Sequence, residues 1–184
     1  MSVVLGVNEA QQELTEAVQH LQRVLTEAQP QILLRDEQAD DKEPLVRLYA
    51  EFRAEELAQA PWPENVKQDF LAEQYRLQAA HYQAHYAGAR FLVLVQEGVV
   101  IGRLYLYRSP SEYRLMDIML FESSRRRGIG RVLISALCAI AGKQGVSITL
   151  HVERDNPARD FYLRRGFEML EDRGVYHFMR FPSG

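Results

Sequence analysis

The chain lacks the features that mark secreted, membrane-spanning or metal-dependent proteins. Cys138 is its single cysteine, which excludes an internal disulfide and suits a reducing compartment. With Leu137 and Ile140 beside it, that thiol reads as a core side chain rather than a nucleophile. No segment approaches the roughly 18 consecutive apolar residues that a membrane span requires, and no basic-then-apolar pattern opens the sequence. The five histidines show no metal-ligand spacing, so no metal is expected. A formal net charge of −3 gives no overall field that favours nucleic acid or an anionic membrane. These absences describe a soluble, cytoplasmic protein with no nucleic-acid or membrane role. With 184 residues and 47% hydrophobic content, there is enough chain for one proper core and an extension.

Periodicity supplies the elements. Asn8 to Gln29 carries Leu14, Val18, Leu21 and Leu25 at helical spacing, with Asn8 and Gln11 placed for a capping box and Pro30 as the stop. This helix either packs on its own domain or forms a dimer contact, so a homodimer is one expectation. We set it apart as an extension, residues 1–30, before a domain of residues 31–184. Gln31 to Arg35 reads as a first strand. Asp40 to Gln59 and Val66 to Tyr86 read as two amphipathic helices, split by Pro61, Trp62 and Pro63. Phe91 to Gln96 and Val99 to Tyr107 form a hairpin across Glu97 and Gly98. Leu115 to Phe121, Val146 to Glu153, Phe167 to Leu170 and Val175 to Phe181 read as further strands.

The most informative stretch is Arg125, Arg126, Arg127, Gly128, Ile129 and Gly130, which joins the strand Leu115 to Phe121 to the apolar-faced helix Arg131 to Gly142. The first N–H groups of a helix lack internal partners and sit at the positive end of its dipole, so an anion binds there. Gly128 and Gly130 let a diphosphate approach the main chain. Arg125, Arg127 and Arg131 are candidates for charge-assisted hydrogen bonds to it. No Lys-Ser or Lys-Thr follows these glycines, against a P-loop, and Leu133 occupies the place where a dinucleotide fingerprint has Gly or Ala.

The segment instead resembles the acyl-CoA loop of the GNAT acetyltransferase superfamily: Arg or Gln, two residues, Gly, any residue, Gly or Ala. Arg125, Gly128 and Gly130 fill its fixed positions. Downstream, Asn156, Ala158, Phe161, Tyr162, Gly166 and Phe167 resemble the superfamily's second motif. Local physics accounts for part of that segment, since Asn156 is a good N-cap, Pro157 suits a first helical position and Gly166 a helix stop. The likeness runs from about Gln31 to Phe181. It implies an α/β (α+β) fold with a mixed, mostly antiparallel central sheet of about seven strands. About four helices flank that sheet, and the extra N-terminal helix is added to them. Two positions depart from the family's habit, Glu122 where Pro is common and Arg126 where a second Gly is common.

The resemblance implies transfer of an acetyl or related acyl group from acetyl-CoA, as cosubstrate, to an amine of a small molecule or peptide. The pyrophosphate then falls to the segment from Arg125 to Arg131, Arg126 and Ile129 included. Main-chain N–H groups late in the strand before the loop, mapping to Met119 and Leu120, would polarise the thioester carbonyl. Tyr162 stands where the family places the group that protonates the departing thiolate, and Asn156 would bind the pantetheine arm or an ordered water. For the amine proton, Asp117 and Glu112 are the candidates on the strand. An unpaired buried carboxylate at Asp117 would be costly, so that residue asks for a partner or a pocket. In related enzymes the first two helices and the last hairpin form the acceptor site, which here contain Glu51, Glu55, Glu56, Trp62, Tyr82, His85, Tyr176 and His177. The alternative is a non-catalytic acyl-CoA-binding module that regulates a partner.

Overall fold

The computed structural model describes residues 2–183, with side chains from residue 8. Helix α1 (Ser2–Ala28) leads into strand β1 (Ile32–Asp36), followed by helices α2 (Lys42–Ala58) and α3 (Glu64–His85). Strands β2 (Arg90–Gln96), β3 (Val99–Arg108) and β4 (Glu112–Leu120) form an antiparallel meander. Helix α4 (Ile129–Gln144), strand β5 (Ser147–Glu153), helix α5 (Ala158–Leu163) and strands β6 (Glu168–Arg173) and β7 (Tyr176–Phe181) complete the chain. The Glu97–Gly98 turn works because both residues hold positive φ, 52° and 79°, which matches the twist of the flanking strands.

All seven strands form one sheet in the order β1-β2-β3-β4-β5-β7-β6. Every adjacent pair is antiparallel except β4 and β5. That parallel pairing runs from Glu112 opposite Ser147 to Leu115 opposite Leu150 and then ends. Beyond it β4 continues on β3 alone and β5 on β7 alone, so the sheet opens into a V. A bulge at Met116, where Tyr105 faces Asp117 but Leu106 faces Leu115, bends β4 at the same point.

Two apolar cores lie on opposite faces. Leu45, Leu48, Tyr49, Leu71 and Tyr75 of α2 and α3 pack on Val93, Val95, Val100 and Met119. On the other face α1, α4 and α5 share one cluster, in which Leu14, Leu21 and Leu25 of α1 meet Leu133 and Leu137 of α4. Of the two expectations for this helix, packing on its own domain is the one seen. The stripe of α1 lies inside the domain's main core, so it is not a free dimer face. The helix also starts earlier than expected, at Ser2, and runs through Asn8, so no capping box forms there. Polar contacts fasten it further, with Arg108 Nη2 at 2.5 Å from Glu13 Oε2 and Gln11 Nε2 donating to the Gly88 carbonyl at 3.2 Å. Among the described residues no helix is long and apolar enough to cross a membrane.

Candidate active site

The opening of the V exposes main-chain groups of β4. Phe121 N–H donates to the Ile101 carbonyl at 3.1 Å, and Met119 lies opposite Arg103 in the same ladder. Alternation along an antiparallel pair therefore turns the Met119 N–H toward β3 and the Leu120 N–H toward the gap. Of the two donors expected, geometry favours Leu120, while Met119 contributes its side chain to the α2–α3 core. Gly102 permits this fit, because a Cβ there would stand 2.5 Å from the Met119 carbonyl oxygen.

The loop after β4 is built around an uncapped helix end. Gly128 takes φ +83° at the N-cap of α4, no side chain caps that helix, and its first turn holds no acid. Its leading N–H groups thus lack internal acceptors. A Cβ on Gly130 would meet nothing within 4 Å, and one on Gly128 only the Arg131 side chain at 4.0 Å. Open space over free N–H groups fits a phosphate, and buried Ile129 anchors the turn from below.

The arginines divide their work. Arg125 Nε donates to the Leu120 carbonyl at 2.8 Å, and Arg127 Nη1 to Gln96 Oε1 at 2.9 Å. Gln29, just past α1, donates to the Arg127 carbonyl at 3.1 Å. These contacts hold the loop to the sheet. Arg126 and Arg131 are exposed and make no ion pair among the described residues, which leaves their guanidinia for an anion. Both departures from the family pattern have physical reasons. Arg126 adopts φ 60°, the left-handed conformation a glycine takes freely, at a cost of about 1–2 kcal/mol. Glu122 donates its N–H to Glu51 Oε1 at 2.6 Å, a bond that proline lacks the hydrogen to make. Glu51, also 3.5 Å from Arg125, is thereby a loop clamp rather than an acceptor residue.

Asp117 finds its partner on the neighbouring strand. Its Oδ2 accepts from Nη2 of Arg103, a fully buried arginine that also donates to Gln78 Oε1 of α3 at 2.8 Å. The guanidinium lies 4.8 Å from the Tyr105 ring and 5.7 Å from the Tyr75 ring. Tyr105 in turn donates to Glu37 at 2.7 Å. Glu112 has no place in this group. It sits in the paired half of β4 with its carboxylate on Thr149 Oγ1 at 3.0 Å, eight residues before Leu120 and so roughly 26 Å along the strand at about 3.3 Å per residue. Glu112 thus lies apart from the Arg103–Asp117 group.

Tyr162 projects from α5 into the core between Phe161 and Phe167, ring centroids 5.5 and 5.2 Å away. Burial, aided by the charge of Asp117, pushes its phenol well above the usual tyrosine value. Tyr162 therefore stays protonated at neutral pH. Asn156 Oδ1 accepts from the Ala158 N–H at 2.8 Å. Its carbonyl oxygen is thereby spent as a cap of α5, and the amide nitrogen is the group left for a ligand.

The residues expected at the acceptor site scatter. Tyr82 reaches the gap, its hydroxyl donating to the Met116 carbonyl at 3.4 Å. Tyr176 stands opposite Glu153, which holds Arg53 of α2 at 2.6 Å. Glu56 also pairs with Arg53, at 2.9 Å, and Glu55 is exposed. Trp62 packs edge-on to Phe70, and His85 stacks on His81 at 4.2 Å. His177 alternates to the opposite face of β7, where it is buried beside Met179.

A family model described as "Acetyltransferase (GNAT) family" matches residues 45–167, more than half of the chain. No curated protein matches the sequence. Among solved structures, PaiA N-acetyltransferase from Thermoplasma acidophilum in complex with coenzyme A is similar at TM-score 0.60 and 21% identity, covering 82% of this chain and 98% of its own. An acetyltransferase from Thermus thermophilus gives TM-score 0.58 at 20% identity, covering 82% and 96%. Ard1 from Thermoplasma volcanium gives 0.54 at 19%, covering 84% and 99%. At these identities the likeness establishes the fold.

Proposed function

The chain belongs to the GNAT acetyltransferase family, and from that premise we propose that it moves an acetyl or similar acyl group from acyl-CoA to a primary amine of a small molecule or peptide by direct attack. It is an acyltransferase, with acetyl-CoA as its donor. The observation that carries the finer reading is one meeting point. Beyond its pairing with β5, strand β4 presents an outward N–H at Leu120 and the Arg103-held carboxylate of Asp117, and it leads directly into the uncapped N-terminus of α4; to this opening we assign the protonated phenol of Tyr162.

The α4 N–H groups, with Arg126 and Arg131, take the CoA pyrophosphate, and the pantetheine arm passes between β4 and β5 within reach of the Asn156 amide. The acceptor comes from the α2–α3 face. A primary alkyl amine of pKa about 10.4 needs roughly 4.6 kcal/mol to be neutral at pH 7. Asp117 Oδ1, which accepts no hydrogen bond among the described residues, holds the amine and receives its proton directly or through water. The nitrogen attacks the thioester carbon and a C–N bond forms while the Leu120 N–H stabilises the carbonyl oxygen. The C–S bond then breaks with its electron pair on sulfur, toward which Tyr162 donates.

Steady-state thiol release from acetyl-CoA should rise above the hydrolytic background with at least one class of primary amine. Tight CoA binding with no acceleration by any amine overturns the reading and leaves a binding module. The phosphate seat has its own check. A side chain on Gly128 strains the +83° backbone by about 1–2 kcal/mol, and relaxation turns the Ile129 and Gly130 N–H groups away. Gly128→Ala should therefore weaken acetyl-CoA binding roughly tenfold in a calorimetric titration, and unchanged affinity refutes the seat.

A further inference from the structure

Arg114 and His151 flank the last β4–β5 pair, Leu115 with Leu150, at the crotch of the V. Their neighbours Tyr113, Leu115, Leu150 and Val152 fill the α4-side core, so Arg114 and His151 stand on the opposite face. Asp117 shares that face, since its partners are Arg103 and, through it, Gln78 of α3. Arg114 Nη2 lies 3.1 Å from His151 Nδ1, and Arg173 Nη1 lies 3.2 Å from His151 Nε2. Both guanidinia cover the Phe178 ring, at 5.2 and 4.9 Å.

This cluster is short of acceptors. A guanidinium only donates, and a neutral imidazole has one lone pair and one N–H. One of the two contacts therefore sets an N–H against an N–H. Protonation would make both contacts repulsive, and partial desolvation together with the two arginines pushes the pKa of His151, which keeps an exposed surface, down to about 4. Of the nearby carboxylates, Glu171 serves Arg173 at 2.7 Å and Glu153 is held by Arg53 at 2.6 Å, so neither serves Arg114. Arg114 makes no ion pair among the described residues. An incoming anionic oxygen can accept from Arg114 and from the His151 ring together, which removes the conflict.

We propose that the acceptor is an amine that also carries an acidic group, with the acid seated against Arg114 and His151 while the nitrogen meets Asp117. This rests on the transferase reading above. Arg114 and Asp117 are separated by two to three strand residues across the bulge, roughly 7–10 Å at about 3.3 Å each. That span suits a compound such as a short peptide with an acidic side chain close to its free amine.

The test uses three tripeptide amides, alike except for glutamate, phosphoserine or glutamine at the second position. Each is assayed for acetylation and, separately, for calorimetric binding to the protein–CoA complex. The glutamate or the phosphoserine peptide should exceed the glutamine peptide at least tenfold in kcat/KM and in affinity, and which of the two leads identifies the acid. In Arg114→Gln and in Arg173→Gln, checked for retained CoA binding, the preference should shrink toward unity. Acetylation of all three peptides without preference, or a preference that survives in both variants, overturns the proposal and leaves the transferase reading standing. Preferential binding without acetyl transfer overturns the assignment of these peptides as acceptors, and the absence of both binding and transfer overturns the acid seat; in both cases the transferase reading is decided separately by thiol release with the wider range of amines.

Discussion

Arg103→Leu is expected to lower unfolding stability by about 3–5 kcal/mol, the usual result of stranding a buried charge. Arg103 has no exposed surface, and the Asp117 side chain is only 10% exposed. Removing the guanidinium leaves the carboxylate with no cation and takes a donor from Gln78. The pair itself is not a large source of stability. Arg103 Nε and Nη1 are buried without partners, so its own desolvation is incompletely offset. The double variant Arg103→Leu with Asp117→Leu should therefore recover most of the lost stability, as apolar replacements of buried pairs often do. Urea unfolding of the two single variants and the double variant measures the coupling. A single Arg103→Leu within about 1 kcal/mol of wild type, on the scale of an exposed pair, would show that Asp117 reaches water and overturn the buried-pair assignment. The double variant also separates fold from function. Refolded but without a carboxylate at the gap, it should bind CoA and acetylate poorly.

The glycine turn from Arg125 to Gly130 was legible in the sequence because its signals are local. Glycines between an apolar strand and an apolar-faced helix define a backbone shape within a few residues. Likewise Asn156, Pro157 and Gly166 mark a short helix by capping alone, although Asn156 caps through an N–H two residues on. The Arg103–Asp117 pair is a different case. Each is a charge set between apolar neighbours in mid-strand, Arg103 between Gly102 and Leu104 and Asp117 between Met116 and Ile118. Those two anomalies in consecutive strands of a meander were the available signal. Their pairing depends on the register and on the Met116 bulge, which no local pattern supplies. The position of Glu112 was hidden for the same reason, since only register shows that it lies in the closed half of β4. The Asn8 cap failed because nothing in the six residues before it stops a helix, so the helix runs through it. Arg126 looked like an interruption of a glycine turn, yet it takes the glycine's conformation at a modest cost.

Tyr162→Phe is expected to lower kcat about 10- to 150-fold while leaving acetyl-CoA affinity and fold stability close to wild type. The ring stays packed between Phe161 and Phe167, and its hydroxyl has no hydrogen-bond partner among the described residues, so the substitution breaks no bond inside the protein. What is lost is donation to the sulfur. Burial holds the phenol above its ordinary value near 10, whereas a thiol ionises near 8.5. Complete proton transfer from Tyr162 to the thiolate is therefore uphill, and the phenol acts by hydrogen-bonding the charge as it forms. A hydrogen bond to a charged group contributes about 1.5–3 kcal/mol, which sets the expected range of rates. The same reasoning gives a pH signature. An acid with a raised pKa keeps its proton beyond the ordinary tyrosine range, so the Tyr162-dependent share of kcat should not fall between about pH 7 and 9. Equal kcat for the two proteins in single-turnover acetylation would mean that the thiolate leaves without help from Tyr162. An alkaline loss near pH 8, present in wild type and absent in Tyr162→Phe, would mean that the phenol titrates in contact with water rather than in the buried site described.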